Sequence, residues 1–179
     1  MEYTVITQKD FELILQNESI EADSLAKLLI KKLEDKGMKV AVAESCTGGL
    51  ISKLLTDEAG VSEVYDCGVC SYANHIKEKV LGVKDKTLKD FGAVSPQTAC
   101  EMAQGVRLLA NADVGVSTTG VAGPTGGTPE KPVGTVFIGI STKDETRVIK
   151  ADFTAKKNNR DKNRQLSAYL AIYCVIASI

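Results

Sequence analysis

Ser45 is the residue best placed to act as a nucleophile, because it ends a short apolar run and opens a glycine turn in Ala43-Glu-Ser-Cys-Thr-Gly-Gly49. The turn leads into Leu50, Ile51, Leu54 and Leu55 at helical spacing, which leaves the amides of Cys46, Thr47 and Gly48 without partners at a helix start. Free N–H groups at the positive end of a helix dipole suit a developing oxyanion. The same residues also fit a plain cap, with Ser45 and Thr47 satisfying the first turn and the glycines permitting the bend. Residue types alone leave both readings open.

A serine hydroxyl needs a group to take its proton. The only histidine, His75, lies in Ser71-Tyr-Ala-Asn-His-Ile-Lys77, beside Tyr72 and Lys77. A lysine ammonium near a phenol favours the phenolate, and a desolvated lysine can itself be neutral, so Tyr72 and Lys77 together can supply the base. Five residues apart is not one helix face, so the two meet only if Tyr72 precedes the helix. The plain alternative is an interface ring and a solvated charge. Cys46 with His75 forms a rival thiol nucleophile and base.

A third group is the loop Gly120-Val-Ala-Gly-Pro-Thr-Gly-Gly127, rich enough in glycine to bring backbone amides close to an anion. It lacks the Gly-Lys-Ser/Thr ending of a nucleotide P-loop, which argues against ATP hydrolysis. Lys156, Lys157, Arg160, Lys162 and Arg164 cluster near the last helix, where one arginine can clamp a phosphate while the rest are solvated. Cys67 and Cys70 form a C-x-x-C, but zinc needs two more ligands and His75 supplies at most one. They read as buried structural thiols.

The elements that must position these groups follow from hydrophobic periodicity. Residues 1–20 are hard to read, a short strand and a helical turn. Leu25, Leu28, Leu29 and Leu33 mark a helix over 24–36, with Asp23 or Ser24 as cap and Gly37 as stop. Strands are expected at 39–44, 64–72 and 113–118, and helices at 74–81 and from Ser95-Pro96 to about 110. A hairpin of 133–141 and 147–153 precedes an amphipathic helix over 160–177. Helices alternating with strands, then a late antiparallel hairpin, predict a three-layer α/β/α fold around a mixed, mostly parallel sheet. Ligands gather where such strands end.

Composition limits the partners. The chain has 179 residues, 22 basic against 23 acidic side chains, and a formal net charge of −1, so no global field favours nucleic acid or an anionic membrane. No run reaches the roughly 18 apolar residues of a membrane span, and the acidic start is unlike a signal peptide. Five cysteines, an odd number, suit a reduced compartment. A cytoplasmic protein is expected.

Taken together these segments resemble the CinA carboxy-terminal domain family of nicotinamide-nucleotide amidases. The resemblance rests on Val42-Ala-Glu-Ser-Cys-Thr-Gly-Gly49, Ser71-Tyr-Ala-Asn74 with Lys77, Gly92-Ala-Val-Ser95, Thr119-Gly-Val-Ala-Gly-Pro124, Gly126-Gly127, Glu130-Lys-Pro-Val-Gly-Thr135, and the Arg160-Asp and Arg164-Gln pairs. It covers about residue 22 to the end, with 1–21 left as an extension of unknown role that can cover a subunit contact in an expected homodimer. It implies hydrolysis of nicotinamide mononucleotide to nicotinate mononucleotide and ammonia, without metal or organic cofactor. It also implies Ser45 as nucleophile with Tyr72 and Lys77 as its activating partners; the expected mechanism has Tyr72, tuned by Lys77, take the proton and amides of Cys46, Thr47 and Gly48 hold the oxyanion, with the choice between Tyr72 and Lys77 as acceptor left open. Thr119, Gly120, Ala122, Gly123 and Arg160 become substrate-binding positions. Rival readings are an amidase for another small amide and a non-catalytic nucleotide- or partner-binding module.

Overall fold

The computed structural model describes residues 1–155 and 158–179, so Lys156 and Lys157 of the basic cluster lie outside the described residues. The first residues form β1 (Thr4–Thr7) and α1 (Gln8–Asn17), a longer helix than the single turn expected. Thr7 and Asp10 close a reciprocal capping box at its start. Next comes α2 (Leu25–Lys36), which stops at Gly37 in the left-handed region. Ser24 stands at its N-cap position, but no side chain caps it by a hydrogen bond, so Asp23 and Ser24 are not the expected capping pair. They belong to a 3-10 turn, and the Ser24 hydroxyl donates back to the Glu21 carbonyl.

The remaining elements are β2 (Val40–Glu44), α3 (Leu50–Thr56), β3 (Tyr65–Cys70), α4 (Asn74–Leu81), α5 (Asp85–Phe91), α6 (Pro96–Leu109), β4 (Val114–Gly120), β5 (Thr135–Ser141), β6 (Thr146–Asp152) and α7 (Arg160–Ser178). Sheet order is β1-β6-β5-β4-β2-β3. Three neighbour pairs are parallel (β1/β6, β2/β4, β2/β3), and β4/β5 and β5/β6 are antiparallel, so the expected late hairpin is present. Side chains alternate across the pleat. Val40, Val42, Val114 and Val116 therefore enter the core shared with α2, α3 and α7, while Ala41 and Ala43 face Met102 and Val106 of α6. The fold is three-layered, as in the reading of the sequence. Among the described residues no helix is long and apolar enough to cross a membrane.

Two details position the functional end. The crossover from β2 to β3 runs through α3 on one face, and that from β3 to β4 runs through α4, α5 and α6 on the other. A crevice is left at the carboxyl ends of β2, β3 and β4. On its α6 side the packing is at backbone contact: a Cβ at Gly139 would stand 2.4 Å from the Ala99 carbonyl oxygen. Ser117 Oγ donates 2.6 Å to the same oxygen.

Gly139→Ala should accordingly lift α6 off the sheet and destabilise the chain by about 1–3 kcal/mol. Chemical denaturation reads this as a lowered midpoint, and an unchanged midpoint would refute so close a seat.

Candidate active site

All five residues of β2 are buried. Its ladder extends one residue further, with Ser45 N donating to Thr118 O at 3.0 Å and Ser71 N to Glu44 O at 2.8 Å. Ser45 and Ser71 thus sit side by side just past the strand ends. The helix that follows begins only at Leu50, so Ser45 lies on a turn and not at a helix start. Gly48 and Gly49, with φ of 60° and 93°, make the bend, a backbone region costly for residues with a Cβ.

The free amides of the α3 start are taken by Glu44. Its carboxylate, 1% exposed, accepts from Gly49 N (3.0 Å), Ile51 N (3.1 Å), Ser52 N (2.9 Å) and Ser52 Oγ (2.8 Å). The helix-dipole argument for an oxyanion site therefore fails, because an anion already occupies that end. Plain capping by Ser45 or Thr47 fails too. Thr47 Oγ1 bonds the Thr118 hydroxyl at 2.7 Å, and Gly48 turns outward and is exposed. Among the described residues the amides of Cys46, Thr47 and Gly48 donate to no oxygen, those of Cys46 and Thr47 facing the Cys46 sulfur, and only Cys46 of the three borders the pocket.

Lys77 is 0% exposed, held inward with Leu81 on the buried face of α4. Its Nζ lies 3.1 Å from Ser45 Oγ, 2.6 Å from Ser71 O and 3.3 Å from Tyr72 O. No carboxylate is among these partners. Two carbonyls can take the two hydrogens of a neutral amine, leaving its lone pair toward the serine hydroxyl. Burial pushes the Lys77 pKa below the ordinary 10.5, the desolvation of the ammonium being the dominant cause.

Tyr72 does precede α4, but what meets Lys77 is its carbonyl, not its phenol. The ring is 68% exposed, and its hydroxyl accepts from Arg160 Nη2 at 3.4 Å. Of the two candidate proton acceptors, Lys77 is the one in contact with Ser45, while the Tyr72 phenol meets Arg160 instead. Arg160, at the first position of α7, also donates from Nη1 to Gly123 O at 2.6 Å. Three turns of chain thereby meet at one pocket of about 290 Å³, bordered by Ser45, Cys46, Tyr72 and Lys77, by Ala93 and Val94, by Thr119 to Gly123, and by Thr125, Gly126 and Arg160. Thr119, Gly120, Ala122 and Gly123 all reach it, and Thr119 Oγ1 is tied to Ala93 O at 2.6 Å.

The cysteine alternatives separate. His75 lies exposed on α4 and does not border the pocket, and burial raises the Cys46 thiol to about 12, so a Cys46–His75 pair is not assembled. Cys67 and Cys70 are half-buried and exposed rather than buried. Three residues apart on β3, they point to opposite faces. Three residues of the site escaped the sequence reading as working parts: Glu44, Asn163, whose Nδ2 donates to Ala122 O at 3.0 Å, and Arg164, which holds Thr47 O. The visible signals were an acidic residue ending an apolar strand and polar residues at helical spacing after Arg160.

Comparison with known proteins identifies the family and the fold. The CinA C-terminal domain family matches residues 22–179. A competence-damage inducible type of protein from Caldanaerobacter subterraneus is 50% identical over 149 residues, 83% of this chain and 35% of its own. A CinA-like protein of Kosmotoga olearia is 45% identical over 150 residues, 84% of this chain and 36% of its own. The chain thus spans about a third of the length of these curated relatives. Among solved structures, competence/damage inducible protein CihA from Agrobacterium tumefaciens superposes with a TM-score of 0.83 at 39% identity, covering 87% of this chain and 94% of its own.

The surroundings of Lys77 yield a direct test. In a 15N-detected titration its Nζ should lose its proton at lower pH than the exposed lysines. Titration at 10.5 or above would remove it as a base.

Proposed function

This chain belongs to the CinA C-terminal domain family, and from that premise we propose that it is a serine amidohydrolase converting nicotinamide mononucleotide and water to nicotinate mononucleotide and ammonia. The observation that carries the reading is the buried Lys77 Nζ, 3.1 Å from Ser45 Oγ and bonded otherwise only to carbonyls. Desolvation lowers the pKa of such a lysine and so favours the neutral amine that can act as a general base.

Ser45 Oγ attacks the amide carbon as its proton passes to the Lys77 amine, and the carbonyl oxygen becomes the oxyanion of a tetrahedral adduct. The backbone amide of Cys46, a residue of the pocket wall, is the donor assigned to that oxygen. The Lys77 ammonium then returns the proton to the departing nitrogen, the C–N bond breaks, and ammonia leaves an ester on Ser45. Water, deprotonated by Lys77, attacks the ester. The second adduct collapses to the carboxylic acid as the proton goes back to Ser45 Oγ. Tyr72 and Arg160 stand at the mouth, where a ring face and a guanidinium suit a pyridine and a phosphate. No step requires a metal or organic cofactor.

Purified protein given nicotinamide mononucleotide should release ammonia, with free nicotinamide as a poor substrate. Ser45→Ala and Lys77→Met should each lower kcat by at least about 10²-fold, the low end for a positioned proton-transfer group. Tyr72→Phe should act mainly on KM. Since the working form of Lys77 is neutral and burial lowers its pKa, activity should rise with pH through that pKa to a plateau and fall away below it. Turnover by Ser45→Ala within tenfold of wild type would end the serine reading.

Phosphate selection gives a separate check. A charge-assisted contact is worth about 1.5–3 kcal/mol. Nicotinamide riboside should be much the poorer substrate, and Arg160→Ala should raise KM for the mononucleotide while scarcely altering use of the riboside. Equal weakening of both would take the phosphate away from Arg160.

A further inference from the structure

The turn from Ser45 to Gly49 is held on two sides by groups of opposite charge. On one side Glu44 gathers the amides of Gly49, Ile51 and Ser52. On the other Arg164, from the second turn of α7, donates Nε (3.1 Å) and Nη2 (2.6 Å) to the carbonyl of Thr47. The contact is close enough that a Cβ on Gly48 would stand 3.4 Å from Arg164 Nη2.

A planar guanidinium fork matches a carboxylate or phosphate better than a neutral carbonyl. Arg164 makes no ion pair among the described residues, and its fork is committed to one peptide group two residues after Ser45. It does not border the pocket. With Ser45 N tied to Thr118 O, and Thr47 tied by its hydroxyl to Thr118 and by its carbonyl to Arg164, the backbone on both sides of Ser45 is immobilised. That immobility keeps Oγ at 3.1 Å from Lys77.

We propose that Arg164 is a positioning residue for the nucleophile, acting through the Thr47 carbonyl to hold Ser45 Oγ against Lys77. The inference rests on Ser45 being the nucleophile. Because Arg164 reaches neither pocket nor substrate, its loss weakens the chemical step and leaves binding alone.

The experiment compares Arg164→Gln and Arg164→Lys with wild type, and uses Lys162→Ala, exposed on the same helix, as control. Ammonia release from nicotinamide mononucleotide should show kcat down about 10- to 100-fold in Arg164→Gln with KM changed by less than about twofold, the scale of loss for a misplaced reacting group. Arg164→Lys, which keeps one N–H donor, should fall between. Modification of Ser45 by phenylmethanesulfonyl fluoride should slow in the same order, and thermal midpoints should stay near wild type. Unchanged kcat, a loss carried by KM, or a loss that merely follows collapsed midpoints in both variants would overturn the proposal. If wild type releases no ammonia yet Ser45 reacts with the reagent, the substrate reading falls and the labelling rates alone decide Arg164. An unreactive Ser45 in wild type would sink both.

Discussion

A lysine buried with no acid beside it is the constraint on which the site depends. Removing an ammonium from water is costly unless an opposite charge compensates it, and a protein ordinarily avoids the cost by pairing the group or by letting it lose its proton. Lys77 has carbonyls of Ser71 and Tyr72 and the hydroxyl of Ser45 as partners, none of them charged. Hydrogen bonds to carbonyls support either protonation state, so burial tips the balance toward the amine. A carboxylate in their place would hold the charge and abolish the base. The nearest acidic side chain on the strand, Glu44, is turned into the α3 start and fully engaged by amides there. Its placement satisfies the helix end and keeps the carboxylate away from the lysine.

Such a lysine subtracts from stability, and the surrounding architecture has to compensate. With its pKa lowered in the folded state, Lys77 is held less favourably as a cation than in the unfolded chain. The penalty is present in full below the folded pKa and fades as pH rises toward 10.5. What offsets it is the packing on both faces of the sheet. β2 and β4 are buried almost throughout, and α6 rests on β4 and β5 at backbone distance. The strand ends are therefore fixed points. Turns that leave them can hold left-handed glycines and a serine bonded to a buried amine without disturbing the core.

Much of this was legible in the sequence, and the failures have physical causes. Strand, turn and helix around Ser45 could be placed because apolar alternation and glycine punctuation are local signals. Where α3 begins could not, since the residue that caps it, Glu44, lies six positions before Leu50 and outside the usual cap site. A charged residue at the end of Val40–Glu44 was the available clue, because a buried carboxylate must find donors nearby. Tyr72 and Lys77 both border the pocket, yet proximity along the chain does not say whether side chain or carbonyl makes the contact. The exposed phenol belongs to the turn before α4, whereas the buried amine lies on the face of α4 that turns inward with Leu81. The seven-residue α5 went unseen because just Thr87 and Leu88 are buried in it, too few to show a period.

The last helix binds these parts together. Arg160, Asn163 and Arg164 fall at spacings of three and four, hence on one face of α7. They donate respectively to Gly123 O, Ala122 O and Thr47 O, so one helix face grips the glycine loop and the nucleophile turn at once. Its placement is in turn secured from the other end of the chain. Gln8 Oε1 accepts from Asn158, the residue before the α7 cap, Glu18 accepts from the Tyr173 hydroxyl, and Tyr169 bonds Asp23. Phe11 packs buried against Tyr173, while β1 adds a parallel strand to the sheet edge at β6. Residues 1–21 lie outside the span matched by the family, but they are built into the support of the helix that carries all three clamping side chains. Shifts of α7 would move the glycine loop and the Ser45 turn in concert, so the relative position of these two walls of the pocket is set by one helix face rather than by two independent loops.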